Sequence, residues 1–202
     1  GEIDGLPYYT MPFVDGESLR VRIVRAGAMP VAEAVGILRD VTRALDFAHA
    51  QGVVHRDIKP ENILLAGDSA TVTDFGISKA LHASRAPGQT GALTELGFAV
   101  GTPQYMAPEQ ISADPDVDHR ADLYSLGCVA YELLVGESPF AGVSPTALLR
   151  AHLVQNPELI SARRADVPDA LCALIARCLA KDPANRPPTA RDVLAMLDGV
   201  ST

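Results

Sequence analysis

Long apolar runs are missing from this sequence. No stretch of about 18 apolar residues occurs, so nothing in it is expected to span a membrane, and no secretory signal opens it. Cysteine is scarce. Cys128, Cys172 and Cys178 show neither CxxC pairing nor metal-ligand spacing. Each lies in an apolar helical pattern, where cysteine packs as a small hydrophobe. The odd count without pairing suits a reducing compartment, and the expected location is cytoplasmic. Basic residues are outnumbered, with Lys+Arg at 17 against Asp+Glu at 25, a net charge of −8. With no basic block, nucleic acid and anionic membrane are not expected as partners. The sign is compatible with steering toward basic peptides, and simple solubility accounts for it too. Repeats, low-complexity tracts and a convincing inter-domain linker are also lacking. The 202 residues, 48% hydrophobic, exclude compositional disorder and suffice for one domain with a sizeable core, or two small ones at most.

What is present reads as a helix-dominated α+β domain with a small β layer toward its N-terminal side. Residues 6–14 are rich in β-formers and read as a strand, with Pro12 demoting its end. Asp15-Gly16-Glu17-Ser18 reads as a turn into a short helix from Leu19 to about Arg25. Val31, Ala34, Val35, Leu38, Val41, Leu45 and Ala48 recur at steps of three and four, which predicts a helix over 31–50. Gly52 sits where a left-handed stop is needed. Short strands are predicted at 53–54, 63–66 and 71–73, the last two joined by a Gly67-Asp68 turn. Residues 82–104 lack periodicity and read as a long loop, a length usually functional or disordered. From Arg120 to Val135 the pattern is apolar nearly all round, which predicts a buried helix. Ser144-Pro145 starts another. A further helix is predicted over 168–180, ended by Asp182-Pro183, and a last one runs from the Thr189 cap through Leu197 to Gly199.

The chemistry is concentrated in HRDIKPENILL, residues 55–65, and in Asp74-Phe75-Gly76. Phosphoryl transfer needs in-line positioning and neutralised charge more than covalent help. Mg²⁺ takes hard oxygen ligands and keeps some of its water, so a carboxylate and an amide oxygen beside a nucleotide can suffice. Asp74 and Asn62 supply those ligand types. Asp57 can accept a hydrogen bond from an attacking hydroxyl and take its proton, and Lys59 is a mobile point charge suited to a phosphate oxygen.

Six motifs in order extend this set along the chain: MPFVDGESL (11–19), HRDIKPEN (55–62), DFG (74–76), GTPQYMAPE (101–109), DHRADLYSLG (118–127) and DPANRP (182–187). On these residues the chain resembles the C-terminal lobe and hinge of a eukaryotic-type (Hanks-type) serine/threonine protein kinase, in a bacterial style marked by APEQ (107–110). The resemblance implies ATP and Mg²⁺ (or Mn²⁺) as cofactors, and proteins bearing serine or threonine as substrates. It implies Asp57 as catalytic base, with Lys59 and Thr102 assisting, and Asn62 and Asp74 as metal ligands. Lys59-Pro60-Glu61 is the serine/threonine form of the loop. Met11 resembles the gatekeeper. The Pro12 carbonyl and the Val14 backbone would read the adenine edge, Ser18 would lie near the ribose and Leu64 under the adenine ring. His55 is implied to pack with Phe75 next to Gly76, Asp122 to accept backbone hydrogen bonds from the catalytic loop, and Glu109 and Arg186 to form a buried ion pair.

Arg56, immediately before Asp57, implies a switch by activation-loop phosphorylation, with Lys79 assisting. Thr94 is the favoured acceptor and Thr90 the second; Leu96 stands where relatives often carry another threonine. The chain departs from the family by an absence. No Gly-rich phosphate loop, V-A-I-K lysine or partner glutamate occurs in residues 1–202. Gly1 is not a natural start. The expectation is therefore a partial kinase domain whose N-terminal lobe is absent, inactive by itself and active within a longer parent. Neither a membrane anchor elsewhere in that parent nor its homodimerisation is decided by this segment. A pseudokinase or kinase-derived interaction module is the alternative, distinguished by whether the upstream reading frame holds the missing motifs.

Overall fold

In a computed structural model of the chain, the residues described are 2–3, 6–7, 10, 13–75 and 103–200. Met11, Pro12, Gly76, Lys79, Thr90, Thr94 and Thr102 lie outside them, as does the 82–102 part of the expected loop. Two short antiparallel strands, β1 (Glu2–Ile3) and β2 (Leu6–Pro7), pair with each other. Residues 13–15 are irregular, so the strand expected over 6–14 ends early on the described residues. Pro12 cannot donate to a ladder, and Asp15-Gly16 favours a turn.

Glu17–Ser18 is the correction of most consequence. It is not simply a turn but a strand, β3, paired antiparallel with β4 (Ile63–Ala66), which in turn pairs with β5 (Ser69–Val72) through the Gly67-Asp68 turn. Ser18 then caps α1 (Leu19–Ala26), its Oγ accepting from the Val21 N–H at 3.4 Å. The predicted 31–50 helix is α2 (Val31–Ala50). It stops in a Schellman arrangement: Gly52 is left-handed (φ 72°), Val53 N–H donates to the Ala48 carbonyl, and Gly52 N–H donates to that of His49. Val53-Val54, expected as a strand, belongs to no sheet, because the Schellman bond turns the chain there.

Pro103–Tyr105 forms a 3₁₀ turn and leads to a short helix, α3 (Pro108–Ile111). The central helix is α4 (Arg120–Val135), in which every residue from Ala121 to Leu134 is buried; Gly136, left-handed, ends it. Around it lie α5 (Pro145–Val154), α6 (Ile160–Arg163), α7 (Asp169–Cys178) and α8 (Ala190–Asp198). Helix α2 packs on α4, α8 and β5, and α7 packs on α4, so one core runs from the sheet to the C-terminal helices. Cys128 and Cys178 are buried there as free thiols, and burial pushes the Cys178 thiol up to about 12 and that of Cys128 upward as well. Among the described residues no helix is long and apolar enough to cross a membrane.

Candidate active site

The β4–β5 hairpin and the end of α2 converge on the loop 53–62. Ile63 pairs with Val72, so Asn62 and Thr73 face each other at the open end of the hairpin. Both the Thr73 N–H (2.9 Å) and its hydroxyl (3.3 Å) donate to the Asn62 carbonyl. This brings Asn62 and Asp74 to one end of the sheet from two separate segments. Asp74 has a left-handed backbone, φ 64°, a rare state for a non-glycine residue. At the next register position, Ser18 lies directly opposite Leu64, so two of the residues expected at the nucleotide are strand neighbours.

Asp57 is tied to its neighbours through one oxygen. Lys59 Nζ donates to Asp57 Oδ2 at 2.7 Å, and Asn62 Nδ2 donates to Asp57 Oδ2 at 3.1 Å and to the Asp57 carbonyl at 2.8 Å. Among the described residues nothing donates to Oδ1. Because the Asn62 amide nitrogen faces Asp57, its oxygen faces away, where a hard cation could be met. Asn62 is buried, while Asp57 and Lys59 are half-buried.

Beneath this sits buried support. His55 is fully buried and bonded on both ring nitrogens: Nε2 donates to the Thr73 carbonyl (2.8 Å), and Nδ1 accepts from the Asp57 N–H (3.2 Å). Those partners fix the neutral Nε2–H tautomer. Its ring meets Phe75 edge-on at 4.7 Å. Asp122, fully buried in α4, accepts from the His55 N–H (2.8 Å), the Arg56 N–H (2.7 Å) and His49 Nε2 (2.8 Å). Arg56, left-handed with φ 68°, donates from Nη2 to the Val117 carbonyl at 3.4 Å. Glu109 and Arg186 form a bidentate buried pair at 2.5 and 2.8 Å.

Sequence reasoning missed three supports. His49, at the end of α2, gives no signal beyond a polar residue on a helix. Gln110 donates to the Arg56 carbonyl at 2.9 Å. Arg20 of α1 bridges Glu61 (2.8 Å) and Glu132 (2.7 Å), and the Tyr105 hydroxyl bonds both Arg20 and Glu132. Burial, then Glu132, pushes the Tyr105 hydroxyl well above its ordinary range. Burial opposes the Arg20 charge, but the hydrogen bonds it donates to Glu132 and Glu61 outweigh that and raise its pKa. For Arg20, Glu132 in a largely apolar helix was the available signal, since a buried carboxylate needs a partner.

Residues 6–196 match the protein-family profile described as Protein kinase domain. The serine/threonine-protein kinase PknB of Mycobacterium leprae is 42% identical over 95% of this chain, and PknD of Mycobacterium tuberculosis is 44% identical over 100% of it. The chain spans 30% of the length of each. Among solved structures, the kinase domain of Mycobacterium tuberculosis PknI matches with a TM-score of 0.70 and 30% identity, over 98% of this chain and 67% of that one. The chain belongs to the eukaryotic-type serine/threonine protein kinase family, alongside these bacterial members.

Proposed function

We propose that this chain carries the catalytic loop, hinge and larger lobe of a kinase that transfers the γ-phosphoryl group of ATP to serine or threonine hydroxyls of proteins. The observation that carries the reading is the Asp57 carboxylate, held through Oδ2 by Lys59 and Asn62 at 2.7 and 3.1 Å. With Oδ2 so engaged, Oδ1 accepts the hydrogen bond of the incoming hydroxyl and takes its proton late in the transfer. Lys59, already beside Asp57, balances charge on the transferred phosphoryl, and Thr102 assists the pair. The oxygen donor set fits Mg²⁺: buried Asn62 through its outward amide oxygen and half-buried Asp74 through its carboxylate would hold it. Mg²⁺ bound with ATP supplies charge neutralisation at the phosphates. Met11, Pro12, Val14, Ser18 and Leu64 line the nucleotide, with the Ser18–Leu64 strand pairing supporting the last two.

Arg56 and Lys79 receive a phosphate on Thr94 or Thr90, which orders the loop before residue 103. Because the Gly-rich loop and V-A-I-K lysine do not occur in residues 1–202, this segment by itself transfers phosphate weakly. Sequence upstream of Gly1 is the place to look for them. The test compares the full-length protein with its Asp57→Asn variant, using Mg²⁺, ATP and a generic serine/threonine substrate. The expected loss is about 10²- to 10⁴-fold in rate. Equal phosphorylation by both would remove Asp57 from the mechanism. ATP binding without transfer by either protein would favour the interaction-module alternative.

A further inference from the structure

Arg56 poses a local problem. A non-glycine residue at φ 68° costs about 1–2 kcal/mol unless its surroundings hold it. Its N–H is held by Asp122 Oδ1 at 2.7 Å. Its carbonyl is held from the other side by Gln110 Nε2 at 2.9 Å. That carbonyl and the Asp57 N–H belong to one peptide unit, and the Asp57 N–H donates to His55 Nδ1 at 3.2 Å. The peptide leading into Asp57 is therefore bonded at both of its polar groups, which fixes its plane and the direction in which Asp57 leaves the chain.

Gln110 uses both ends of its carboxamide. Oε1 accepts from the Ala107 N–H at 3.0 Å while Nε2 donates to Arg56. A flipped amide would set oxygen against oxygen and N–H against N–H, so the orientation is determined by its partners. The residue before it, Glu109, is clamped to Arg186. Gln110 is thus mounted on a rigid support and reaches a strained residue one position from the carboxylate.

We propose that Gln110 is a positioning residue for phosphoryl transfer. Its Nε2–H holds the Arg56–Asp57 peptide, and it couples the segment ending in α3 to the catalytic loop. The inference rests on the reading of Asp57 as base. The test uses the full-length kinase with Gln110→Glu and Gln110→Met. Glutamate is nearly isosteric and keeps an acceptor for the Ala107 N–H, but when ionised it cannot donate to the Arg56 carbonyl. The expected result is a kcat about 10- to 100-fold lower, the scale set by small misplacements of a catalytic group, with KM for ATP within about twofold of wild type. Gln110→Met, which has neither the donor nor the acceptor, should lose kcat at least as much, again with KM for ATP little changed. A wild-type kcat in Gln110→Glu overturns the inference, and so does a loss that falls on KM for ATP with kcat unchanged. Should Gln110→Glu fail to fold, a wild-type kcat in Gln110→Met overturns it equally. Asp57→Asn separates the two claims. If that variant keeps full activity the reading of Asp57 fails, and if it is dead while Gln110→Glu is unimpaired only the Gln110 inference fails.

Discussion

Replacing Arg186 by methionine tests how the segment around α3 is anchored. The Arg186 guanidinium is 2% exposed as a residue, and all of its donors are occupied. Nε donates to the Ala180 carbonyl (2.8 Å), Nη1 to Glu109 Oε1 (2.5 Å) and the Arg120 carbonyl (2.9 Å), and Nη2 to Glu109 Oε2 (2.8 Å) and the Lys181 carbonyl (3.1 Å). That exhausts the five N–H groups of an arginine, and its plane also lies over the Tyr124 ring at 5.0 Å. Methionine restores most of the volume and none of the donors. Glu109 is then left as a buried carboxylate without its cation, a loss of about 3–5 kcal/mol for breaking such a pair from one side. For a domain of this size each kcal/mol lowers the melting temperature by about 2–4 °C, so the expected fall is about 6–20 °C. The double variant Glu109→Leu/Arg186→Met separates pair energy from packing. Removing both charges also removes the stranded carboxylate, so the double variant should be more stable than Arg186→Met alone, with a coupling of at least about 2 kcal/mol. Urea titration of the four proteins provides the cycle. A loss below about 1 kcal/mol for Arg186→Met, or a double variant equal to the sum of the singles, would refute the argument.

Two other expectations follow from the core. A Cβ at Gly127 would stand 2.8 Å from the Cys178 Cβ and 3.1 Å from Leu179 Cγ. Gly127→Ala should therefore destabilise by about 1–3 kcal/mol although alanine is the better helix former, and a higher urea midpoint would show that α4 and α7 do not meet so closely. His152 is fully buried, with Nδ1 bonded to the Tyr124 hydroxyl at 2.9 Å and Nε2 lacking a partner among the described residues. Burial, and then the Lys181 charge, hold its pKa at about 4 against an ordinary 6.5. Below 6.5 the unfolded chain takes up a proton that the folded one refuses, so stability falls as pH drops from 6.5 toward about 4, by up to about 3 kcal/mol. His152→Gln should flatten that part of the acid profile, read as urea midpoints across the window. An identical profile in both proteins would reject it.

The long helices were legible because their signals are periodic and local. Val31–Ala50 and Arg120–Val135 carry repeating apolar spacing and glycine stops. Glu17–Ser18 reads as a turn because two residues have no period, and their strand character comes only from Leu64 and Leu65, far along the chain. The helices at 108–111 and 160–163 are each a single turn and leave no amphipathic trace. The candidate site divides the same way. Asp57, Lys59 and Asn62 lie within six residues, and the loop that joins them is also the sequence motif. Gln110, His49 and Arg20 act through contacts that exist only after α1, α2, α3 and the loop are brought together.

Helix α4 is where those distant contacts are organised. Its nearly all-round apolar pattern predicts a buried helix, and three buried polar residues interrupt that pattern: Asp122, Ser125 and Glu132. Steps of three and then seven residues at about 100° each place all three within about 80° of one another around the helix. They reach two regions, and two of the three converge on Tyr105. Asp122 holds the backbone of His55 and Arg56, Ser125 Oγ donates to the Tyr105 carbonyl at 2.7 Å, and Glu132 accepts from Arg20 and the Tyr105 hydroxyl. Tyr124, about 200° from Asp122, faces the other way toward Arg186, Lys181 and His152. Rotating a purely apolar helix would cost shape fit but strand no polar group. Three polar groups with fixed partners change that, since each would be left buried and unpaired. The polar stripe therefore sets the rotation of α4, and with it the position of the 55–62 loop relative to the 103–111 segment.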